Sequence, residues 1–266
     1  MISQEDKTIL IRGGGDLASG VAWRLHHCGF RVLVTEIEKP MAVRRKVSFC
    51  EAVYDGMALV EDVTAVLVEK PVEARQIWDQ GKIPVMVDPL CQCREAFAPP
   101  VLIDAILAKK NLGTSIHDAP LVIALGPGFE AGVDAHYVVE TNRGHRLGRL
   151  LSSGKAEPNT GVPGKVMGHS SARVLRSPVD GPWQNRLDIG DIVRKGECVG
   201  TVNDLEVKAA IDGILRGSIH PGIDVTKGLK IGDIDPRPVR ENCFTISEKA
   251  LAIAGGVLEG ILRKYG

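Results

Sequence analysis

The chain has 266 residues, and 33 Lys+Arg balance 33 Asp+Glu to a formal net charge of zero. That length suits one large domain or two modest ones, and 44% hydrophobic with 25% charged residues excludes a disordered chain. The neutral balance supplies no electrostatic reason to bind nucleic acid or an anionic membrane; no apolar run approaches the roughly 20 residues of a membrane helix.

The opening MISQEDKTILIRGGG runs into a strand pattern without a signal-peptide shape, so a cytoplasmic protein is expected. Thr8 to Arg12 reads as a strand and Asp16 to Cys28 as a helix, with Leu17, Val21, Leu25 and Cys28 at helical spacing. Gly29 ends that helix, and Arg31 to Glu36 is a second strand. Ala65 to Val68 is a third. Pro71 opens a helix to about Asp79, since proline suits the first helical position. Ile83 to Val87 reads as a strand, Val101 to Lys109 as a helix, and Leu121 to Leu125 and His136 to Glu140 as strands. Apolar strands with helices between them predict a Rossmann-like parallel sheet over residues 1–155.

Residues 156–175 are rich in Gly, Pro, Ser and Asn and read as a linker or binding loop. Residues 176–240 hold an internal repeat. Asp180-Gly181 matches Asp212-Gly213, Gly190 matches Gly222, Gly196 matches Gly228 and Gly200 matches Gly232, each offset by 32 residues. Two such halves predict a pseudo-twofold β module similar to the barrel-sandwich fold of biotinyl and lipoyl domains. Those domains carry a cofactor on a lysine at a hairpin tip. Here the tip is Asn203-Asp204-Leu205-Glu206, with Lys208 beyond it, so a docking or structural role is expected. Residues 241–266 read as a terminal helix capped by Ser247, whose Gly255, Gly256 and Gly260 allow close packing on another element or between subunits of a homo-oligomer. The fold class is therefore α/β with a separate β module.

The clearest chemical signal is Arg12-Gly13-Gly14-Gly15-Asp16-Leu17-Ala18, after a strand and opening a helix, with Glu36 closing the next strand. This is the order of a dinucleotide-binding fingerprint. Gly13 makes the tight turn, Gly15 lets the backbone approach a pyrophosphate, and Ala18 lets the helix pack on the sheet. The helix N-terminus offers free N–H groups. Glu36 suits a ribose hydroxyl and opposes a 2′-phosphate. Asp16 must turn away from phosphate or bind a metal. The alternative is a turn of the same shape that holds no dinucleotide. Gly126-Pro127-Gly128 follows a strand and is a second candidate for wrapping a ligand. Arg44 and Arg45 are candidates for clamping its anion.

Cys91 and Cys93 follow Asp88-Pro89 at a strand's carboxyl end, where soft thiolates suit a soft metal or a persulfide. The alternative is two ordinary thiols. Their spacing is shorter than a zinc knuckle. Gly161 to Lys165 lacks Walker A spacing, and no G-x-S-x-G or H-E-x-x-H occurs.

RGGGDLASGVAWRL, MAVRRKVSF, VIALGPGFEAGVDAHYVVETNRGHRLG, NTGVPGKVMG, KIGDIDPRP and TISEKALAIAGGVLEGIL, in this order, span nearly the whole chain. Together they resemble the YqeB family of accessory proteins for selenium-dependent molybdenum hydroxylases. The resemblance implies a cytoplasmic factor in maturation of a molybdenum enzyme, with the client hydroxylase and other maturation factors as partners and no nucleic acid or membrane. It implies a pathway and no particular reaction. A nucleotide-form molybdenum cofactor held by Gly13, Gly14, Gly15, Asp16, Ala18 and Glu36 is the first expectation. The second is an NAD-dependent oxidoreductase, whose proton donor would be His117, His136, His145 or Asp88. The third is a scaffold with an empty glycine loop.

Overall fold

The computed structural model describes residues 8–266, so the reading of residues 1–7 as lacking a leader lies outside the described residues. The chain forms two compact units that are not collinear with the sequence. The first holds residues up to Pro40, Ser48–Asn159 and Ile246–Gly266, and the second holds Met41–Val47 and Thr160–Thr245. The expected linear division at 155, 175 and 240 therefore differs in three ways, the first being that residues 156–175 are no separate segment but divide between the units after Asn159. A short segment after β2 belongs to the second unit, and the terminal helix returns to the first.

The first unit is built on a nine-stranded sheet. Its elements begin with β1 (Thr8–Arg12), α1 (Asp16–His27), β2 (Arg31–Glu36), α2 (Ala52–Asp55), β3 (Met57–Val60) and β4 (Val63–Val68). They continue with α3 (Ala74–Asp79), β5 (Ile83–Val87), α4 (Arg94–Phe97), β6 (Val101–Asp104), β7 (Leu121–Leu125), β8 (Glu130–Ala131), β9 (Tyr137–Val139), β10 (Leu150–Leu151) and β11 (Gly154–Lys155), and end with α5 (Glu248–Tyr265). The sheet order is β10-β9-β7-β6-β1-β2-β5-β4-β3. Neighbours from β4 to β9 are parallel, and the edge strands β3 and β10 are antiparallel. β8 and β11 form a separate two-stranded ladder. The order reverses at β1, because β2 lies on one side and β6 on the other. Ligands of open α/β sheets bind at such a switch point, outside the carboxyl ends of the strands.

Residues Val101–Asp104 are a strand, which corrects the expected helix over 101–109. Val101, Leu102 and Ile103 are fully buried between β1 and β7. A short apolar run buried on both faces has no periodicity to separate strand from helix. Past Asp104 a helix is impossible as the chain stands, because Leu107 and Lys109 take φ of 60° and 65°. Ser247 caps α5 as expected, its Oγ accepting from the Ala250 N–H. α5 packs on α1, where a Cβ on Gly20 would come 2.7 Å from the Ala250 Cβ. Gly256 lies against the Gly148 carbonyl, and a Cβ on Gly260 would come 3.0 Å from Ile123. Gly256 and Gly260 thus serve close packing within this unit, whereas nothing lies within 4 Å of a Cβ on Gly255.

The second unit contains β12 (Val174–Arg176), β13 (Gly181–Asn185), β14 (Ile192–Val193), β15 (Cys198–Val202), β16 (Leu205–Lys208), β17 (Gly213–Ser218), β18 (Asp224–Val225) and β19 (Lys230–Asp235). They form two four-stranded antiparallel sheets, β12-β19-β17-β14 and β16-β15-β13-β18. Advancing β13, β14 and β15 by 32 residues gives the starts of β17, β18 and β19. The same exchange turns one sheet's order into the other's. Turn glycines keep left-handed backbones in both copies: Gly190 (φ 100°) with Gly222 (82°), and Gly196 (88°) with Gly228 (84°). The fully buried Trp183 joins the sheets, its indole N–H donating to Ser218 Oγ at 3.2 Å. Asn203 and Asp204 make the β15–β16 turn with φ of 46° and 63°, as a two-residue hairpin requires. Lys208 lies in β16 and pairs with Glu206 at 2.8 Å.

Candidate functional site

At the carboxyl ends of β1, β2 and β5 a cleft of about 520 Å³ opens in the first unit. That volume is within the range of small-molecule sites. Arg12 and Gly13 at the end of β1, Thr35, Glu36 and Ile37 at the end of β2, and Asp88, Pro89 and Leu90 after β5 line one part of it. Ile106 and the Asn111–Gly113 turn, both after β6, line the rest.

The glycine turn forms as the sequence dictates. Gly13 takes φ 95°, and a Cβ there would lie 2.9 Å from the Ala105 carbonyl oxygen. Its N–H donates to the Thr35 carbonyl at 2.8 Å. Gly14 is closed in by Cys50, whose N–H donates to the Gly14 carbonyl at 3.0 Å. Gly15 is different: it precedes α1 with an ordinary φ of −68°, and nothing lies within 4 Å of a Cβ built on it. Asp16 is the first residue of α1, and Ala18 is buried.

Glu36 holds this turn in shape. Its carboxylate accepts from the Gly14 N–H and the Ile37 N–H, both at 2.8 Å. Burial pushes its carboxyl up, against the pull of those two N–H groups. A carboxylate has about four acceptor sites, so two bonds leave capacity for a ligand hydroxyl.

A buried network that the motif does not announce stands beside the turn. Arg12 and Asp104 are register partners at the ends of β1 and β6, and their side chains pair at 3.5 Å. The Thr114 hydroxyl donates to Asp104 at 2.6 Å and accepts from Arg12. Burial pushes the Asp104 carboxyl up, against Thr114 and Arg12. The signal in the sequence was a charge at the end of each of two neighbouring apolar strands. Misreading β6 as helix concealed it.

The other expected residues are placed differently. Gly126 (φ 76°) and Gly128 (φ 110°) do not line the cleft. A Cβ on Gly126 would come 2.5 Å from Thr141 Oγ1, and one on Gly128 would come 2.6 Å from the Lys110 nitrogen. They close the protein's own loops, and Gly128 supports the segment leading into Asn111. Arg44 and Arg45 belong to the second unit and have partners there. Arg44 donates to the Asn242 and Thr245 carbonyls at 3.0 Å, and Arg45 pairs with Asp188 at 3.0 Å. Their geometry is that of structural arginines.

Cys91 and Cys93 are buried free thiols in the turn after β5. Among the described residues no three His, Cys, Asp or Glu side chains gather as a metal would require, so the expected metal ligation lacks further ligands. The histidines suggested as proton donors include His117 and His136, which line a separate pocket with Pro99 and Pro120. Of the four suggested donors only Asp88 lines the cleft. No helix among the described residues is long and apolar enough to cross a membrane.

The fold and the cleft define a two-unit mixed α/β protein whose glycine turn stands at the switch point of a large mixed sheet, with a twofold-repeated antiparallel β unit inserted in the sequence. No family model matches the chain. It is 49% identical over 254 residues to the Uncharacterized protein YqeB of Escherichia coli (strain K12), a match covering 96% of this chain and 47% of that protein. The chain thus spans about half the length of this curated relative, and the similarity supports the YqeB family. Among solved structures, an aspartoacylase family protein from Mesorhizobium loti is 13% identical, with 85% of this chain and 84% of that one covered at a TM-score of 0.27. A succinylglutamate desuccinylase/aspartoacylase from Rhodobacter sphaeroides is 12% identical with the same coverage and TM-score. Likeness at that level bears on neither fold nor reaction.

Proposed function

We propose that the first unit binds a nucleotide-bearing ligand in the cleft beside the Gly13–Gly15 turn, and that the protein is an accessory factor in maturation of a selenium-dependent molybdenum hydroxylase. The observation that supports ligand binding most is the cleft itself, at the carboxyl ends of β1, β2 and β5 beside the glycine turn. Of the three glycines Gly13 alone lines the cleft; nothing lies within 4 Å of a Cβ on Gly15, which is room a phosphate at the start of α1 would need. Glu36 accepts from a ribose hydroxyl, and Ile37, Leu90, Ile106 and Leu112 offer apolar walls for a flat ring.

A nucleotide-form molybdenum cofactor fits through its nucleotide end, because the chain supplies turn, carboxylate and apolar walls, with no cage of metal-ligating side chains among the described residues. When bound, such a cofactor supplies the redox chemistry of the client; the residues here hold and orient it. The second unit we read as a barrel-sandwich module for docking onto the client. Its paired four-stranded sheets and their 32-residue exchange support that reading, as does Lys208 lying in a strand rather than at the hairpin tip. The NAD-dependent oxidoreductase is less favoured, since Asp88 alone among the suggested proton donors lines the cleft.

The test is a thermal-shift panel with NAD, NADP, FAD, ADP, CTP and molybdopterin cytosine dinucleotide. A ligand at 100 times its Kd adds about 2.7 kcal/mol. A shift with the pterin dinucleotide alone supports cofactor handling. A shift confined to NAD overturns it in favour of the oxidoreductase. No shift at all leaves the scaffold.

A further inference from the structure

A second cavity of the first unit lies at the opposite edge of the sheet from the glycine turn. Pro99 stands two residues before β6, Pro120 one residue before β7, and His136 one residue before β9. These three strands are adjacent and parallel, so their amino ends meet here. The three residues border a cavity of about 550 Å³, a volume within the range of small-molecule sites. Ile116 and Ala119 extend its apolar wall, and His117 and Asp118 complete its polar part.

The proton on His136 is placed by the main chain. Its backbone N–H donates to the Val122 carbonyl at 2.9 Å, and its ring Nδ1 accepts from the Val122 N–H at 3.0 Å. An Nδ1 that accepts carries no proton, so the neutral ring holds its one proton on Nε2. Burial, Lys264 and His117 hold the pKa of this ring below the ordinary 6.5, which keeps it neutral at pH 7. Nδ1 is turned to the main chain, and the ring edge left for the cavity is the one that carries the Nε2–H. Among the described residues nothing accepts from that donor.

The charges around the cavity favour an anion. Asp118 is already committed: its carboxylate accepts from the Ser115 N–H at 2.8 Å and lies 3.7 Å from the Arg94 guanidinium. Lys264 adds a positive charge close to His136. Pro99 and Pro120 bring no N–H of their own, so the imidazoles are the donors on that side. Two imidazoles beside a wall of proline, isoleucine and alanine suit one carboxylate with an apolar body. A phosphate has more acceptor oxygens than these donors can meet, and it would leave the apolar wall uncovered.

We propose that this cavity binds a small organic carboxylate. The carboxylate accepts from the His136 Nε2–H beside His117, and the apolar body packs on Ile116, Ala119 and the two prolines. The site is separate from the cleft at the glycine turn, so it does not depend on the nucleotide reading, and its test contains no nucleotide.

The full chain is titrated with benzoate while the ring C–H signals of its seven histidines are followed by NMR, with inorganic phosphate as the comparison anion. Single His→Gln replacements assign the signals. The His136 and His117 signals are expected to move together and saturate with benzoate, while the signal of the exposed His145 stays. Phosphate is expected to move them at least about tenfold less tightly, and His136→Ala is expected to bind benzoate at least about tenfold more weakly, the ordinary loss of a hydrogen bond to a charged group. No saturable movement at about 10 mM benzoate, ten times a millimolar Kd, overturns the proposal. Phosphate binding as tight as benzoate overturns the carboxylate class, and unchanged affinity in His136→Ala overturns the role of His136. The titration of the unsubstituted protein decides whether the site exists even where that variant does not fold.

Discussion

Gly13 and Gly15 stand two residues apart in one motif, yet the structure separates their roles sharply. An alanine at Gly13 would have to adopt φ 95° and place its Cβ 2.9 Å from the Ala105 carbonyl oxygen. The backbone conformation costs roughly 1–3 kcal/mol, and overpacking against fixed backbone costs about 1–3 kcal/mol more. Gly13→Ala is thus expected to destabilise the first unit by roughly 2–6 kcal/mol. An alanine at Gly15 keeps φ −68° and meets nothing within 4 Å. Its effect is expected within about 0.5 kcal/mol, or slightly stabilising through loss of unfolded-state freedom. Paired thermal and urea unfolding of the two variants measures this. At about 2–4 °C per kcal/mol, even the low end for Gly13→Ala lowers the midpoint by about 4 °C. Equal destabilisation by the two substitutions would refute the claim that Gly15 is reserved for a ligand and Gly13 for the turn.

In α5, Gly256→Ala is expected to destabilise by at least about 1–3 kcal/mol, since its Cβ collides with the Gly148 carbonyl. Gly255→Ala, with nothing within 4 Å, is expected to stabilise by up to about 1 kcal/mol through helix propensity, and denaturant midpoints compare the two. In the second unit, Arg173 and Asp233 pair at 2.6 Å with both side chains buried. Arg173→Ala leaves that carboxylate with Lys230 at 3.8 Å as its remaining cation and is expected to cost up to about 3–5 kcal/mol in chemical unfolding, whereas an unchanged midpoint would count the pair as neutral. His136 Nδ1 accepts from the Val122 N–H at 3.0 Å, and burial, Lys264 and His117 hold its pKa below the ordinary 6.5. Protonation therefore favours the unfolded chain, so stability is full above about pH 6.5 and falls as pH drops below it. Melting curves from pH 7.5 to 5 should show this slope; in His136→Gln it should be shallower, with a remainder from His26, whose pKa is also lowered.

Much of the fold was legible because the governing signals are local. The strands at Thr8–Arg12, Arg31–Glu36 and Leu121–Leu125 are continuous apolar runs between turn residues, and the Gly13 turn announces itself by composition. The 32-residue repeat was legible for a physical reason: Gly190 and Gly222, and Gly196 and Gly228, occupy left-handed turn positions that glycine fills without steric cost. What was not legible depends on tertiary neighbours. Val101–Asp104 is a strand because β1 and β7 flank it, and no local pattern encodes that. Met41–Val47 joins the second unit because the Val43 carbonyl packs on Gly217, where a Cβ would come within 2.7 Å. Arg44 and Arg45 read as free cations because their partners, Asn242, Thr245 and Asp188, are distant in sequence. Cys91 and Cys93 were noticed for their spacing; Thr35 and Arg12 beside them were not, since only the sheet brings the three strand ends together.

The central claim, a nucleotide-bearing ligand at the Gly13–Gly15 turn, is tested most directly by calorimetric titration of one nucleotide panel into the unsubstituted protein and Gly15→Val. The account predicts saturable binding of at least one nucleotide to the unsubstituted protein and its loss in Gly15→Val, with the unfolding midpoint of the variant unchanged. Equal affinity in the two proteins, or no binding of any nucleotide to either, would contradict it.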